Sequence, residues 1–182
     1  MVDTLFNIDK AIVDFIHFGL KNSIFDFLMP KITHLGDIGI IWIVISIALI
    51  ITKKYRKIGI TSILALLLSL LFTDATIKQF IQRQRPITRY PIENALIAIP
   101  TTFSFPSGHT SSSFAAAWVL YRQMDKYKLS FLILAALIAF SRMYLYVHYL
   151  SDVVAGVLVG IISATLAIII VNKAVNRKKN LN

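Results

Sequence analysis

Val153–Val171 reads VVAGVLVGIISATLAIIIV, an uncharged run whose only polar side chains are Ser163 and Thr165. A spanning helix needs about 20 mainly apolar residues, because lipid offers no partner to an unpaired backbone N–H or C=O. This run meets that need. Three more stretches read the same way: Ile38–Thr52, short but dense in Ile and Val; Ile58–Ile77, uncharged until Asp74; and Leu129–Val147, broken near its end by Ser141 and Arg142. Ser107–Tyr121 opens with polar residues but must return the chain across the bilayer, which makes a fifth.

Composition agrees. Hydrophobic residues make up 57% of the 182-residue chain and charged residues 15%. Ordinary soluble domains have roughly 45–50% and about 25%. With no cysteine, disulfides and thiolate metal sites are excluded. No cleavable leader is expected in Met1–Asp9, which carries Asp3 and lacks a basic start and apolar run.

The first 36 residues differ. Asp3, Asp9, Lys10, Asp14, Lys21 and Asp26 interrupt them, while Leu5, Ile8, Ile12, Phe15 and Leu20 recur at roughly helical spacing. This pattern suits one or two helices lying in the membrane interface, broken near Pro30. The expected fold is an all-α integral membrane helix bundle: N-terminal interfacial helices over 1–36, then a domain over 37–182 with about five transmembrane helices. The alternative is a sixth span through 11–30.

The net charge of +10 is largely topological. Lys53, Lys54, Arg56 and Lys57 separate the first two spans; Arg122, Lys126 and Lys128 separate the third and fourth; Lys173, Arg177, Lys178 and Lys179 form the tail. Five spans put all three clusters on one side, which the charge rule makes the cytoplasm. Nucleic acid is not needed to explain the charge. Lys78, Arg83, Arg85 and Arg89 fall on the other side and call for another task. Trp42, Tyr121, Tyr127 and Tyr149 sit near the predicted boundaries, as belt residues do. The ridge Gly156-x3-Gly160-x3-Ala164 permits close packing, here within the bundle.

Three blocks carry the chemistry: Lys78-x6-Arg85-Pro86, Pro106-Ser107-Gly108-His109 and Ser141-Arg142-x5-His148-x3-Asp152. The topology brings all of them to one membrane face. Lys78, Arg85 and Arg142 are cations suited to phosphate oxygens. Ser107 and Gly108 stand where a helix begins, so its N–H groups can face an anion. Asp152, four residues after His148, can fix the imidazole tautomer and leave the other nitrogen free to attack. His109 is placed to protonate the leaving oxygen. Asp74, four residues before Lys78, reads as its ion-pair partner, with direct proton handling as the alternative. His17 and His34 read as interfacial or structural, and Arg83 and Arg89 are open between headgroup anchors and substrate contacts.

In order and spacing, these blocks resemble the signature of the phosphatidic acid phosphatase type 2 superfamily, shared with vanadium haloperoxidases. The resemblance covers Lys78 to Asp152. It implies a nucleophile at His148 that forms a phosphohistidine, Asp152 orienting it, and His109 as acid and then base. Lys78, Arg85, Ser107, Gly108 and Arg142 would hold the phosphoryl oxygens, with no metal and no cofactor. The implied reaction is hydrolysis of a lipid phosphate or diphosphate at the outer face of the cytoplasmic membrane, as in undecaprenyl-diphosphate phosphatases of the bacitracin-resistance type. Undecaprenyl diphosphate leads among substrates; phosphatidylglycerophosphate, phosphatidate and lipid A phosphates stay open. A lipid-phosphate transporter or resistance permease is the reading from another class, but binding alone has no need of the two histidines and Asp152. The hydrophobic spans argue against a haloperoxidase. The expected partners are the lipid substrate and membrane lipids.

Overall fold

A computed structural model of the chain describes the backbone of residues 2–181 and the side chains of residues 6–177. Leu5, Lys178 and Lys179 therefore lie outside the described side chains, as does Asp3. Nine α-helices follow among the described residues: α1 (Val2–Asp14), α2 (Ser23–Leu35), α3 (Ile40–Ile51), α4 (Arg56–Phe72), α5 (Lys78–Ile81), α6 (Pro86–Arg89), α7 (Gly108–Gln123), α8 (Lys128–Tyr144) and α9 (Leu150–Leu181). A π-helical turn, Thr73–Ile77, joins α4 to α5. The fold is all-helical, as the sequence leads one to expect.

Helix α7 is the axis of the bundle, packed against α4, α8 and α9. Its small residues explain why. Ser111, Ser113, Ala115, Ala116 and Ala117 are all fully buried, so neighbouring backbones can approach. Its hydroxyls find partners across helices: Trp42 Nε1 donates to Ser113 Oγ at 2.9 Å, and the Ser69 and Ser111 hydroxyls meet at 2.5 Å. Trp42 is thus a core residue bound to α7, not a belt residue; Tyr149 is likewise buried. Their place near the predicted span boundaries suggests a belt, but packing against neighbouring helices buries both. The outward faces carry Leu67, Leu71, Ile133, Leu158 and Ile162, all exposed, as a lipid-facing surface requires.

Two stretches, Lys53–Arg89, interrupted at residues 82–85, and Leu150–Arg177, are long and apolar enough to cross a membrane. A third arises if α2 and the segment Asp37–Ile51, bent by 46° at their junction, are one broken span. Helix α3 alone has 12 residues. At about 1.5 Å per residue it falls short of the ~30 Å hydrocarbon core. The basic clusters at Lys53–Lys57, Arg122–Lys128 and Lys173–Arg177 lie at the helix ends opposite Lys78, Gly108, Arg142 and Asp152. A division between charged ends and chemistry-bearing ends is built into the bundle.

The N-terminal segment breaks in a different place from the one expected. Pro30 sits inside α2, which runs on to Leu35. The break falls at Leu20–Asn22, where the Asn22 side chain caps α2 by accepting from the N–H groups of Ile24 and Phe25. Contacts cross the expected boundary at residue 36. His17 Nδ1 bonds the Tyr144 carbonyl at 2.6 Å, and the Tyr144 and Tyr146 hydroxyls donate to Asp26 and Asp14 at 2.7 and 2.6 Å.

The glycine ridge of α9 faces α7. A Cβ at Gly160 would stand 2.6 Å from the Ser111 carbonyl oxygen and 2.9 Å from the Ala115 nitrogen, both backbone atoms that cannot turn aside. Gly160→Ala is therefore expected to destabilise the folded protein by about 1–3 kcal/mol, the usual cost of overpacking. Thermal unfolding in detergent checks this; an unchanged midpoint would mean the two helices separate freely.

Candidate active site

One cavity of about 700 Å³ opens at the chemistry-bearing end, and Lys78, Arg85, Gly108, His109, Arg142 and His148 line it. The three sequence blocks thus converge, although they come from α5 and its following loop, the start of α7, and the end of α8. Asp152 and Ser107 lie behind the wall, both fully buried.

His148 sits in the turn between α8 and α9 and is 1% exposed. Its Nε2 faces Arg85, whose Nη1 donates to it at 2.8 Å. An arginine only donates, so Nε2 must be the unprotonated nitrogen. The proton then lies on Nδ1, which points to Asp152 Oδ2 at 3.5 Å and to Ser104 Oγ at 3.4 Å. Burial, and then the positive charges of Arg85, Arg142 and Lys78, hold its pKa well below the ordinary histidine value.

Asp152 is itself held from several directions. Ser104 Oγ donates to Oδ2 at 2.5 Å, the Tyr149 N–H donates to the same oxygen at 2.8 Å, and Arg83 Nη1 donates to Oδ1 at 2.7 Å. Arg83 also pairs with Asp9 of α1 at 2.7 Å and bonds Ser151 at 2.6 Å. It does not line the active-site cavity and is held by these partners inside the fold. Sequence reasoning did not find Ser104 or this role of Arg83. The one signal was Arg83's position among basic residues on the wrong side for the charge rule.

The cations differ in their company. Arg85 spends its donors on Thr102 O at 2.8 Å, Thr102 Oγ1 at 2.9 Å, Phe103 O at 3.1 Å, Val147 O at 2.9 Å and His148. Arg142 donates to Thr33 Oγ1 at 2.5 Å, while its Nε is buried without a partner. Neither has a carboxylate within ion-pair distance among the described residues, though both are at least 96% buried. Lys78 pairs with Asp74 at 2.5 Å, the i,i+4 contact that the spacing foretold. Two desolvated guanidinium groups and one half-neutralised ammonium around a cavity make a strong anion site.

Ser107 caps α7, accepting from the Thr110 N–H at 3.4 Å and the Thr110 hydroxyl at 2.9 Å. Its own N–H donates to the Asp152 carbonyl at 3.0 Å. Its side chain is thus engaged in shaping the helix start. Gly108 borders the cavity directly: a Cβ there would stand 3.2 Å from Asp74 Oδ2 and 3.3 Å from Lys78 Nζ. His109 Nε2 bonds Asp37 Oδ1 at 2.8 Å, a partner the sequence did not suggest.

A neutral His148 should be visible directly. In ¹⁵N-histidine NMR at pH 6.5, with the signal assigned by its loss in His148→Asn, the Nδ1-protonated neutral tautomer is expected. At that pH an unperturbed histidine would be about half protonated. A cationic imidazole signal would contradict the geometry.

The sequence matches the PAP2 superfamily over residues 59–176. It is 32% identical over 121 residues to the undecaprenyl-diphosphatase of Sulfolobus acidocaldarius, a match covering 66% of this chain and 58% of that protein. Among solved structures, Aquifex aeolicus LpxE superposes with a TM-score of 0.75 at 29% identity, covering 87% of this chain and 93% of that one. The transmembrane PAP2-type phosphatidylglycerolphosphate phosphatase of Bacillus subtilis gives 0.71 at 25% identity, covering 96% and 87%. The chain belongs to the PAP2 superfamily and is an integral membrane enzyme of the lipid-phosphatase type.

Proposed function

We propose that this member of the PAP2 superfamily hydrolyses a lipid phosphate or diphosphate through a phosphohistidine on His148, with undecaprenyl diphosphate as its leading substrate. The observation that carries the mechanism is His148 at the cavity wall, its Nε2 accepting from Arg85 while Nδ1 is turned to the buried Asp152. Nε2 attacks phosphorus as the bond to the leaving oxygen breaks. His109 gives that oxygen its proton. Water then attacks the phosphohistidine, His109 takes a proton from it, and phosphate departs with Nε2 restored.

Charge stabilisation falls to Lys78, Arg85 and Arg142, with the α7 start at Gly108 as a close backbone wall. Phosphoryl transfer is mostly positioning and electrostatics, so three cations in a cavity of low polarity can carry much of it. On this reading Arg85 moves from His148 Nε2 to a phosphoryl oxygen when substrate enters, which frees the nucleophile as it binds the electrophile. Ser107 contributes by capping α7.

The lipid class is read from relatives and from the cavity walls. The Sulfolobus relative is an undecaprenyl-diphosphatase; Ile43, Leu66, Leu67 and Leu70 give the cavity an apolar side against which a tail can lie. Phosphatidylglycerophosphate, phosphatidate and lipid A phosphates remain the rival substrates. We place the bent pair α2–α3 as one span, with α4–α5, α7, α8 and α9, across the bilayer, α1 at the outer interface and the site facing outward.

Phosphate release from a panel of these lipids, with EDTA present, tests the reading. Wild type is expected to release phosphate, and His148→Ala to lose more than about 10³-fold while staying folded. Full activity in that variant would remove His148 as nucleophile. No release by folded wild type from any lipid would point to a binding protein. A strict magnesium requirement would contradict charge neutralisation by side chains. A C-terminal tag should label only from the cytoplasm; external labelling would invert the topology.

A further inference from the structure

Asp37 stands at the bend between α2 and α3, outside all three sequence blocks. Its Oδ1 accepts from His109 Nε2 at 2.8 Å, and its Oδ2 is held by His34 Nδ1 at 2.7 Å. Both carboxylate oxygens are therefore committed to imidazole rings, one inside the cavity and one mostly exposed. His109 Nδ1 has no hydrogen-bond partner among the described residues.

The backbone at this bend is strained in a way that packing does not explain. Ile38 has φ 54°, a left-handed region that β-branched residues avoid. Its side chain is 94% exposed, so it gains no core contact in return. On one side of Asp37, Gly36 lies so close to His109 that a Cβ would stand 2.9 Å from its Cδ2. On the other, Gly39 takes φ 71°. What this conformation does achieve is to set the Asp37 carboxylate against the His109 ring.

We infer that Asp37 is a positioning residue for His109, forming a second histidine–carboxylate pair in the site. Asp152 serves the attacking histidine; Asp37 serves the proton-transferring one, and His34 fixes the carboxylate between them. Asp37 keeps the His109 proton on Nε2 when the ring is neutral and stabilises the imidazolium when it is charged. Nδ1 is then the nitrogen that exchanges a proton with the leaving oxygen. During attack, Nδ1–H passes to that oxygen as the P–O bond breaks, and Nδ1 takes a proton back from water in the second step. The inference rests on the reading of His109 as acid and base given above.

Leaving groups provide the test. An alkyl phosphate needs its departing oxygen protonated, whereas nitrophenolate leaves without a proton. Because kcat/KM reports only steps through departure of the leaving group, it isolates acid assistance from the later hydrolysis. Wild type should hydrolyse both an alkyl lipid phosphate and p-nitrophenyl phosphate, and His148→Ala neither; this checks the underlying reaction by itself. Asp37→Asn is expected to lose about 10²-fold in kcat/KM on the alkyl substrate but less than about threefold on the aryl one, the scale of general-acid catalysis. Asp37→Glu, which keeps the charge, should stay within about tenfold of wild type on the alkyl substrate. Equal losses on the two substrates, no loss on either, or a Glu variant as impaired as Asn would overturn the inference.

Discussion

Arg85 ties the site together. Its single guanidinium reaches the 102–103 segment through three hydrogen bonds, the Val147 carbonyl through a fourth and His148 through a fifth. Two segments with no regular structure, one before α7 and one between α8 and α9, are fixed relative to each other by this one planar fork. Lysine could not do the same, since a point charge on a flexible stem offers no rigid geometry. The apolar bundle serves this arrangement: it brings the helix ends close enough for one side chain to span them, and it excludes the water that would otherwise satisfy those carbonyls.

Around that knot stand two layers of support. Ser104, the Tyr149 N–H and Arg83 hold Asp152, and Asp152 in turn faces His148. Arg83 passes the chain of contacts on to Asp9, so α1 is connected to the buried carboxylate even though it lies far away in sequence. The N-terminal helices are thereby joined to the site by ion pairs and hydrogen bonds as well as by packing.

The helices and the three blocks were legible because each leaves a local pattern: apolar length for the helices, fixed spacing for the blocks. Lys78 and Asp74 were legible as a pair for the same reason, being one helical turn apart. Ser104, Asp37 and Thr33 were not. Each is an ordinary polar residue in a loop or helix end, and each meets its partner in the site at least 48 positions away. Pro30 misled because its missing N–H marks a helix break by default, whereas the break went to Asn22, the better cap. Trp42 misled by its place near a predicted boundary; the small residues of α7 left room to bury it.

The cavity has a mixed wall. Buried Lys78, Arg85 and Arg142 line it together with Ile38, Leu67, Leu70 and Ile99, each more than half exposed. A chamber whose rim is made of lipid-facing side chains communicates with the bilayer sideways. The substrate would then arrive by diffusion in two dimensions, and the quantity governing occupancy would be its mole fraction in the membrane. Diluting the lipid with inert amphiphile at constant bulk concentration would slow such an enzyme, as diluting the solution would not.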